Sequence, residues 1–301
     1  MRVARQFRSG IIAAICTATA VGSVTLIAPA AHAEEGPHGG IVGNYTGGDV
    51  SRPQQGKELS AQAKEKIALT DAWFSAHEGR SSKAEYAERE KAFLQKYGLD
   101  KQDAAQLSAA SPYAATAAPS SRTLSLRHYG QATGYFCGPA TAAMMIKSVN
   151  GSIRSRYNNN AFSQQNLANS AHMNTANARV TDWGTKKFVT GINRWRGQNW
   201  YVQVPSPTPT NAVKTMLHSI GGNGMPIAAD TVEFANGRHY NGHPVNKTIG
   251  HWITAYGYTS NGSSSKWADP STTVWSGVSK TFAYNTRNFT SYFLQSNGYA
   301  Y

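Results

Sequence analysis

Cysteine is almost missing from this chain. Of 301 residues only Cys16 and Cys137 are cysteines. They stand 121 residues apart, so the C-x2–4-C spacing of a zinc finger or ribbon is absent. Acidic side chains are scarce as well, over one long region. Residues 104–301 hold 16 Lys and Arg against four acids: Asp182, Asp230, Glu233 and Asp269. Internal repeats are absent, and so is any aromatic-interleaved basic motif of the kind that reads nucleic acid. Only one apolar run is long enough to matter for a membrane, Ile11 to Ile27.

That run has the layout of a secretory signal peptide. Arg2, Arg5 and Arg8 form a basic start, small apolar residues follow, and Ala31-His32-Ala33 is an A-x-A cleavage site. Cleavage is expected near Ala33, giving a secreted product with no transmembrane segment. Cys16 lies inside the signal, so the exported chain keeps one cysteine. Secreted proteins usually pair their cysteines, and a lone one there is a reactive thiol or an intermolecular link. The fold must then stand without disulfides, which a chain of this length can do with an ordinary core.

Composition divides the rest. Residues 34–56 are Gly-rich and read as a disordered segment. Residues 57–103 read as a helical hairpin, with helices over 57–77 and 82–97. Ile67, Trp73 and Phe74 give the first helix its apolar set. Tyr86, Phe93, Leu94 and Tyr97 serve the second, which Ser82 caps and Gly98 closes. Residues 104–121, rich in Ala, Ser and Pro, read as a linker, and residues 122–301 as the main domain. Residues 34–103 carry a net charge of −2 and residues 104–301 one of +12. A strongly basic domain favours anionic partners, cell-wall polymers among them, though solubility and surface adhesion are the plainer meaning.

In the main domain, helices are expected near 163–171, 181–195, 210–220 and 287–295. Strands are expected over 200–204, 226–232, 251–259 and 266–269. Helices first and strands last indicate an α+β fold with segregated layers. Cys137 opens an Ala/Met-rich run that reads as a buried helix, with Pro139 in its first turn. Unpaired N–H groups at such an end favour a thiolate. Gln131, six residues upstream, could place an amide beside the thiol as an oxyanion donor. A buried structural cysteine is the competing reading.

His251 starts a strand-like run after Gly250, and Asp269 ends the next strand eighteen residues on. Two antiparallel neighbours could bring them together. Amide cleavage by a thiol needs this set: a nucleophile, an imidazole that protonates the leaving nitrogen, and a group that orients the ring. A core histidine and an Asp-Pro turn are the plainer readings of the last two. His239 and His243 stand four apart, but Asn241-Gly242 and Pro244 place them in a loop. Two histidines without a third ligand are weak evidence for metal.

Gln131-x5-Cys137-Gly138-Pro139-Ala140, Gly250-His251 leading to Gly257-Tyr258, and Asp269-Pro270 together resemble the papain-fold cysteine peptidases related to bacteriocin-processing (double-glycine leader) proteases. Ser163 to Ala168 and the 185–193 helix are similar too, so the likeness spans about residues 122–295. The resemblance implies a papain-like fold. It implies Cys137 as nucleophile, His251 as base and acid, Asp269 as orienting residue and Gln131 in the oxyanion hole. The sequence itself shows no sign of a cofactor or a metal. Leader-processing members usually belong to membrane transporters, so chemistry and fold carry over rather than substrate. Glu85, Arg89 and Phe93, four apart, also resemble the pro-region helix of papain-type enzymes, a hint that the hairpin is a prosegment. The expected function is a secreted, monomeric cysteine peptidase or amide hydrolase acting on extracellular peptides or cell-envelope material. The alternatives are an acyltransferase or wall amidase on the same fold, or a non-catalytic binding module.

Overall fold

The computed structural model describes residues 58–98, 118–149 and 153–301. The signal peptide, the Gly-rich segment and most of the linker lie outside them. Among the described residues, no helix is long and apolar enough to cross a membrane.

Two helices come first, α1 (Ala61–His77) and α2 (Lys83–Lys96). Ser60 caps α1 by accepting from the Ala63 N–H, and Ser82 caps α2 from the Glu85 N–H. The stretch between them turns at Gly79, whose φ of +74° suits glycine. The buried face of α1 is Ala63, Lys66, Leu69, Thr70, Trp73 and Ala76, a helical stripe with a lysine in the middle. Ile67 and Phe74, expected in that stripe, are only partly buried.

The remainder is helical first and then sheet. The helices are α3 (Cys137–Ser148), α4 (Gln164–Ala168), α5 (Thr175–Ala178), α6 (Lys187–Arg196), α7 (Pro209–Thr215) and α8 (Thr286–Phe293). The helix expected over 181–195 starts six residues late, because 183–186 are turns and Lys186 takes a left-handed φ of 56°. From Met216 to Gly222 the α7 helix widens into a π-helical turn. The strands are β1 (Arg122–Thr123), β2 (Gln203–Pro205), β3 (Ile227–Glu233), β4 (Ile249–Thr259), β5 (Ser264–Ala268), β6 (Thr281–Asn285) and β7 (Gly298–Ala300). They form one antiparallel sheet in the order β2-β7-β3-β4-β5-β6, with β1 also paired to β4. Mixed helix and antiparallel sheet make this an α+β fold.

Both faces of the sheet are covered. The core on one face gathers α3 and α6 with Trp252 and Ala228, and takes in Leu69, Trp73, Tyr86 and Phe93 from the two N-terminal helices. The other core holds Ile227, Ile253, Tyr258, Trp267, Phe289 and Phe293. Period-two alternation along β4 sends Trp252 to the first and Ile253 to the second. Thr141 Oγ1 donates to the Trp252 carbonyl at 2.9 Å and fixes α3 against β4. Gly138 lets the start of α3 come close, since a Cβ there would sit 2.2 Å from Thr181 Oγ1.

The N-terminal helices are joined to this body by polar contacts too. Lys66 is fully buried, and its Nζ donates to the carbonyls of Trp200 and Tyr301 at 2.6 and 2.7 Å. It also stands 3.7 Å from the Trp200 ring centroid. Thr70 Oγ1 and Tyr86 Oη meet the two ring nitrogens of buried His218 at 2.9 and 3.2 Å.

Candidate active site

Each singled-out residue is placed by a specific element. Cys137 is the first residue of α3 and is wholly buried. His251 is the third residue of β4, opposite Thr231 of β3. Asp269 follows the last residue of β5, which pairs with β4 at Thr254. The strand order therefore brings His251 and Asp269 together, and Nε2 of His251 lies 2.9 Å from Oδ1 of Asp269. Gln131 is buried in the loop before α3. Its amide donates to the Thr133 carbonyl at 2.8 Å, and its Oε1 has no hydrogen-bond partner among the described residues. That loop is tied to the segment after Asp269. The Gln131 N–H donates to the Pro270 carbonyl at 2.8 Å, and Thr273 Oγ1 donates to the Gln131 carbonyl at 2.7 Å.

Asp269 is held from all sides. Oδ1 faces His251 Nε2, the Ser271 N–H at 2.8 Å and Ser271 Oγ at 2.6 Å. Oδ2 faces His243 Nε2 and Asn241 Nδ2, both at 2.8 Å. Burial would raise its pKa, but the charge of His251 and the bonds from both imidazoles hold it well below the usual carboxylate range. A carboxylate surrounded by donors has one consequence for His251. Nε2 must carry the ring proton, so in the neutral ring Nδ1 is the basic atom. That Nδ1 is buried and has no hydrogen-bond partner among the described residues.

The thiol departs from the expectation for a helix N-terminus. The backbone N–H groups of Trp252 and Gly138 do favour the thiolate. Burial acts the other way, with the charges of Asp230 and Asp269, and wins, so the Cys137 pKa is raised. Full burial costs an anion more than two N–H groups and a helix end return. Since Cys137 and His251 expose no surface, a substrate reaches Sγ only after a covering group moves. Trp275, partly exposed, stands beside the imidazoles, 4.7 Å from His243 and 6.4 Å from His251 between ring centroids.

Sequence reasoning named His243 and Glu233 but gave neither a part in the site. Glu233 ends β3 and is buried on the same face as Thr231 and His251. Its Oε1 lies 2.6 Å from His243 Nδ1, and its Oε2 accepts from the Tyr240 N–H at 3.1 Å and lies 3.0 Å from His239 Nδ1. The clue was in the composition. In so acid-poor a region, a carboxylate six and ten residues before two histidines is a candidate partner for both.

His243, His251 and Asp269 are the one group among the described residues whose ligand atoms converge, within 4.8 Å of one another. Both Nε2 atoms and both Asp269 oxygens are already engaged with each other in hydrogen bonds. As arranged, the cluster handles protons.

A model of the Peptidase_C39-like family matches residues 123–301. The chain belongs to that family. The match covers all seven strands except the first residue of β1, and includes Cys137, His251 and Asp269. Membership in the Peptidase_C39-like family points to a cysteine peptidase-like function. A comparison with the curated proteins finds no match.

Proposed function

We propose that this Peptidase_C39-like domain hydrolyses amide bonds through Cys137, with His251 as base and acid and Asp269 as its orienting group. The observation that carries the reading is the donor set around Asp269. It leaves His251 one basic atom, Nδ1, on the residue next to Trp252, whose N–H acts on the thiol. In the reaction the Cys137 proton passes to Nδ1 and Sγ attacks the carbonyl carbon. The C–N bond then breaks as Nδ1–H protonates the leaving nitrogen, and water hydrolyses the thioester. Burial raises the Cys137 pKa, so the thiol keeps its proton at rest and its transfer accompanies substrate entry. Gln131 is the oxyanion donor in this scheme, through the amide hydrogen its bond to Thr133 does not use.

The setting is the extracellular space, on the strength of the signal-like residues 1–33. The partner surface is anionic. Three of the four acids in residues 104–301, Asp230, Glu233 and Asp269, are buried, which leaves Asp182 against 16 Lys and Arg. Cell-envelope polymers and the peptides attached to them have that charge. The N-terminal helices go with the domain as a structural part.

The test is the alkylation rate of Cys137 against pH in the intact chain and in His251→Ala, with product analysis on envelope peptides. Reactivity between pH 6 and 8 that falls at least roughly tenfold on removing the imidazole supports the scheme. A rate that climbs tenfold per pH unit to pH 10 and ignores His251 describes an isolated buried thiol and ends it. Cleaved amide products separate hydrolysis from acyl transfer, and binding without products indicates a binding module.

A further inference from the structure

The His251–Asp269 pair does not end at Asp269. Beyond it lie His243 and then Glu233, and neither is exposed. His243 Nε2 lies 2.8 Å from Asp269 Oδ2, and its Nδ1 lies 2.6 Å from Glu233 Oε1. A neutral imidazole has a single N–H. With both carboxyl groups ionised, two ring nitrogens facing two of their oxygens at these distances require the doubly protonated ring, since otherwise lone pair would meet lone pair. The ring is a cation held between two anions. Burial alone would lower its pKa, but the charges and bonds of Glu233 and Asp269 outweigh that and raise it to about 9. Glu233 in turn is held below its usual value, because His243 and His239 outweigh its burial.

We infer that His243, kept as an imidazolium by Glu233, is a positioning residue that both anchors Asp269 and limits the basicity of His251. The anchoring is the bond to Oδ2. The limit is electrostatic. Asp269 draws a proton onto His251, and a cation on the other side of the same carboxylate opposes it. The two rings are 5.4 Å apart between centroids. A unit charge at that range in a protein interior shifts a neighbour by about one pH unit or more. The groups facing the two rings are Glu233 of β3, Asp269 and Ser271 after β5, Tyr240 in the loop, Trp275, and His239 through Glu233. Cys137 of α3 is coupled to Asp269 and to Asp230. Within this set His243 is the cation that opposes Asp269 at His251, the group that takes a proton from the thiol and then releases it. This inference deepens the proposed function and rests on it for its meaning, but not for its test.

The test is nitrogen NMR of the histidine rings in the full chain. At pH 7 the His243 ring should carry both protons, and a singly protonated ring overturns the inference without any variant. Glu233→Gln isolates charge from geometry. Its amide can donate to Nδ1 of a neutral His243 while its carbonyl oxygen still accepts from Tyr240, so the bond to Asp269 survives. In that variant the His251 pKa should rise by about one pH unit, and in His243→Gln, which leaves Glu233 charged, by more. A His251 pKa that stays or falls in the folded variants, with activity merely reduced, reduces His243 to a structural bond and overturns the inference. If Glu233→Gln does not fold, His243→Gln and the intact-chain measurement decide. An inert thiol in the intact chain, with His251 shifting as stated, would sink the proposed hydrolysis and leave this inference standing.

Discussion

Replacing Trp73 by alanine asks whether the N-terminal helices are a detachable prosegment or part of the fold. Trp73 is 2% exposed. Its ring packs on Phe74, His77 and His218 at 4.9, 4.0 and 5.4 Å between centroids, and it lies against Gly222 of the π-helical turn. Truncating a buried tryptophan to alanine costs about 3–5 kcal/mol. One term runs the other way, because the Trp73 indole nitrogen is buried with no hydrogen-bond partner among the described residues. Losing an unsatisfied donor returns about 1 kcal/mol. The expected net loss is about 2–4 kcal/mol, and in a body of this size that lowers the melting temperature by roughly 4–16 °C. The assay is thermal unfolding followed by far-UV circular dichroism and, separately, by the reactivity of Cys137. Because Trp73 and Cys137 belong to one continuous core, both signals should move together in a single transition. Two transitions would refute the reasoning if only the lower one moved and the Cys137 signal stayed with the other.

Two other predictions concern charge. His218 is buried between Thr70 and Tyr86, and its burial together with the Lys66 charge lowers its pKa to about 3. A histidine with a depressed folded pKa takes up its proton only on unfolding, so stability should fall as pH drops from about 6.5 toward 4. The loss is on the order of 3 kcal/mol, and chemical denaturation at pH 7 and 4.5 should find most of it absent in His218→Gln. Asp269→Asn removes a carboxylate that two imidazoles face. It should cost about 3–5 kcal/mol of stability and about 10²-fold or more in amide hydrolysis, read by denaturant titration and peptide turnover. An Asn variant with normal turnover would remove Asp269 from the mechanism.

Much of the fold was legible because the relevant signals are local. Alternation around Trp252 and Ile253 marks β4, and Ser82 announces the cap of α2. The meeting of His251 and Asp269 follows from two antiparallel strands being neighbours. What escaped depends on tertiary context. Lys66 reads as solvent-facing in any helical pattern, yet it lies under Trp200 and Tyr301, because the carbonyls it serves come from 134 and 235 residues away. The strands β1, β6 and β7 are too short or too polar to stand out, and their pairing comes from neighbours already in place. His243 was set aside because a loop does not place a side chain by periodicity. The Asn241 amide, which holds both Asp269 and the Ser279 carbonyl, is what ties that loop to the site.

The acid-poor composition and the buried site are one fact seen twice. A region with four acids could scatter them over its surface to balance 16 cations. Here Glu233 and Asp269 each face buried histidines, and Asp230 lies buried with one oxygen bonded to Asn297. Burial pushes the Asp230 carboxyl well above its usual range. Burying an ionised carboxylate is tolerable only where cations or donors meet it. Glu233 and Asp269 satisfy that condition through His243, whereas Asp230 has only the Asn297 amide, and burial favours its protonated form. The surface is then left almost purely cationic. The same economy of carboxylates that orders the imidazoles around Asp269 leaves the domain the cationic surface on which the proposed anionic partner rests.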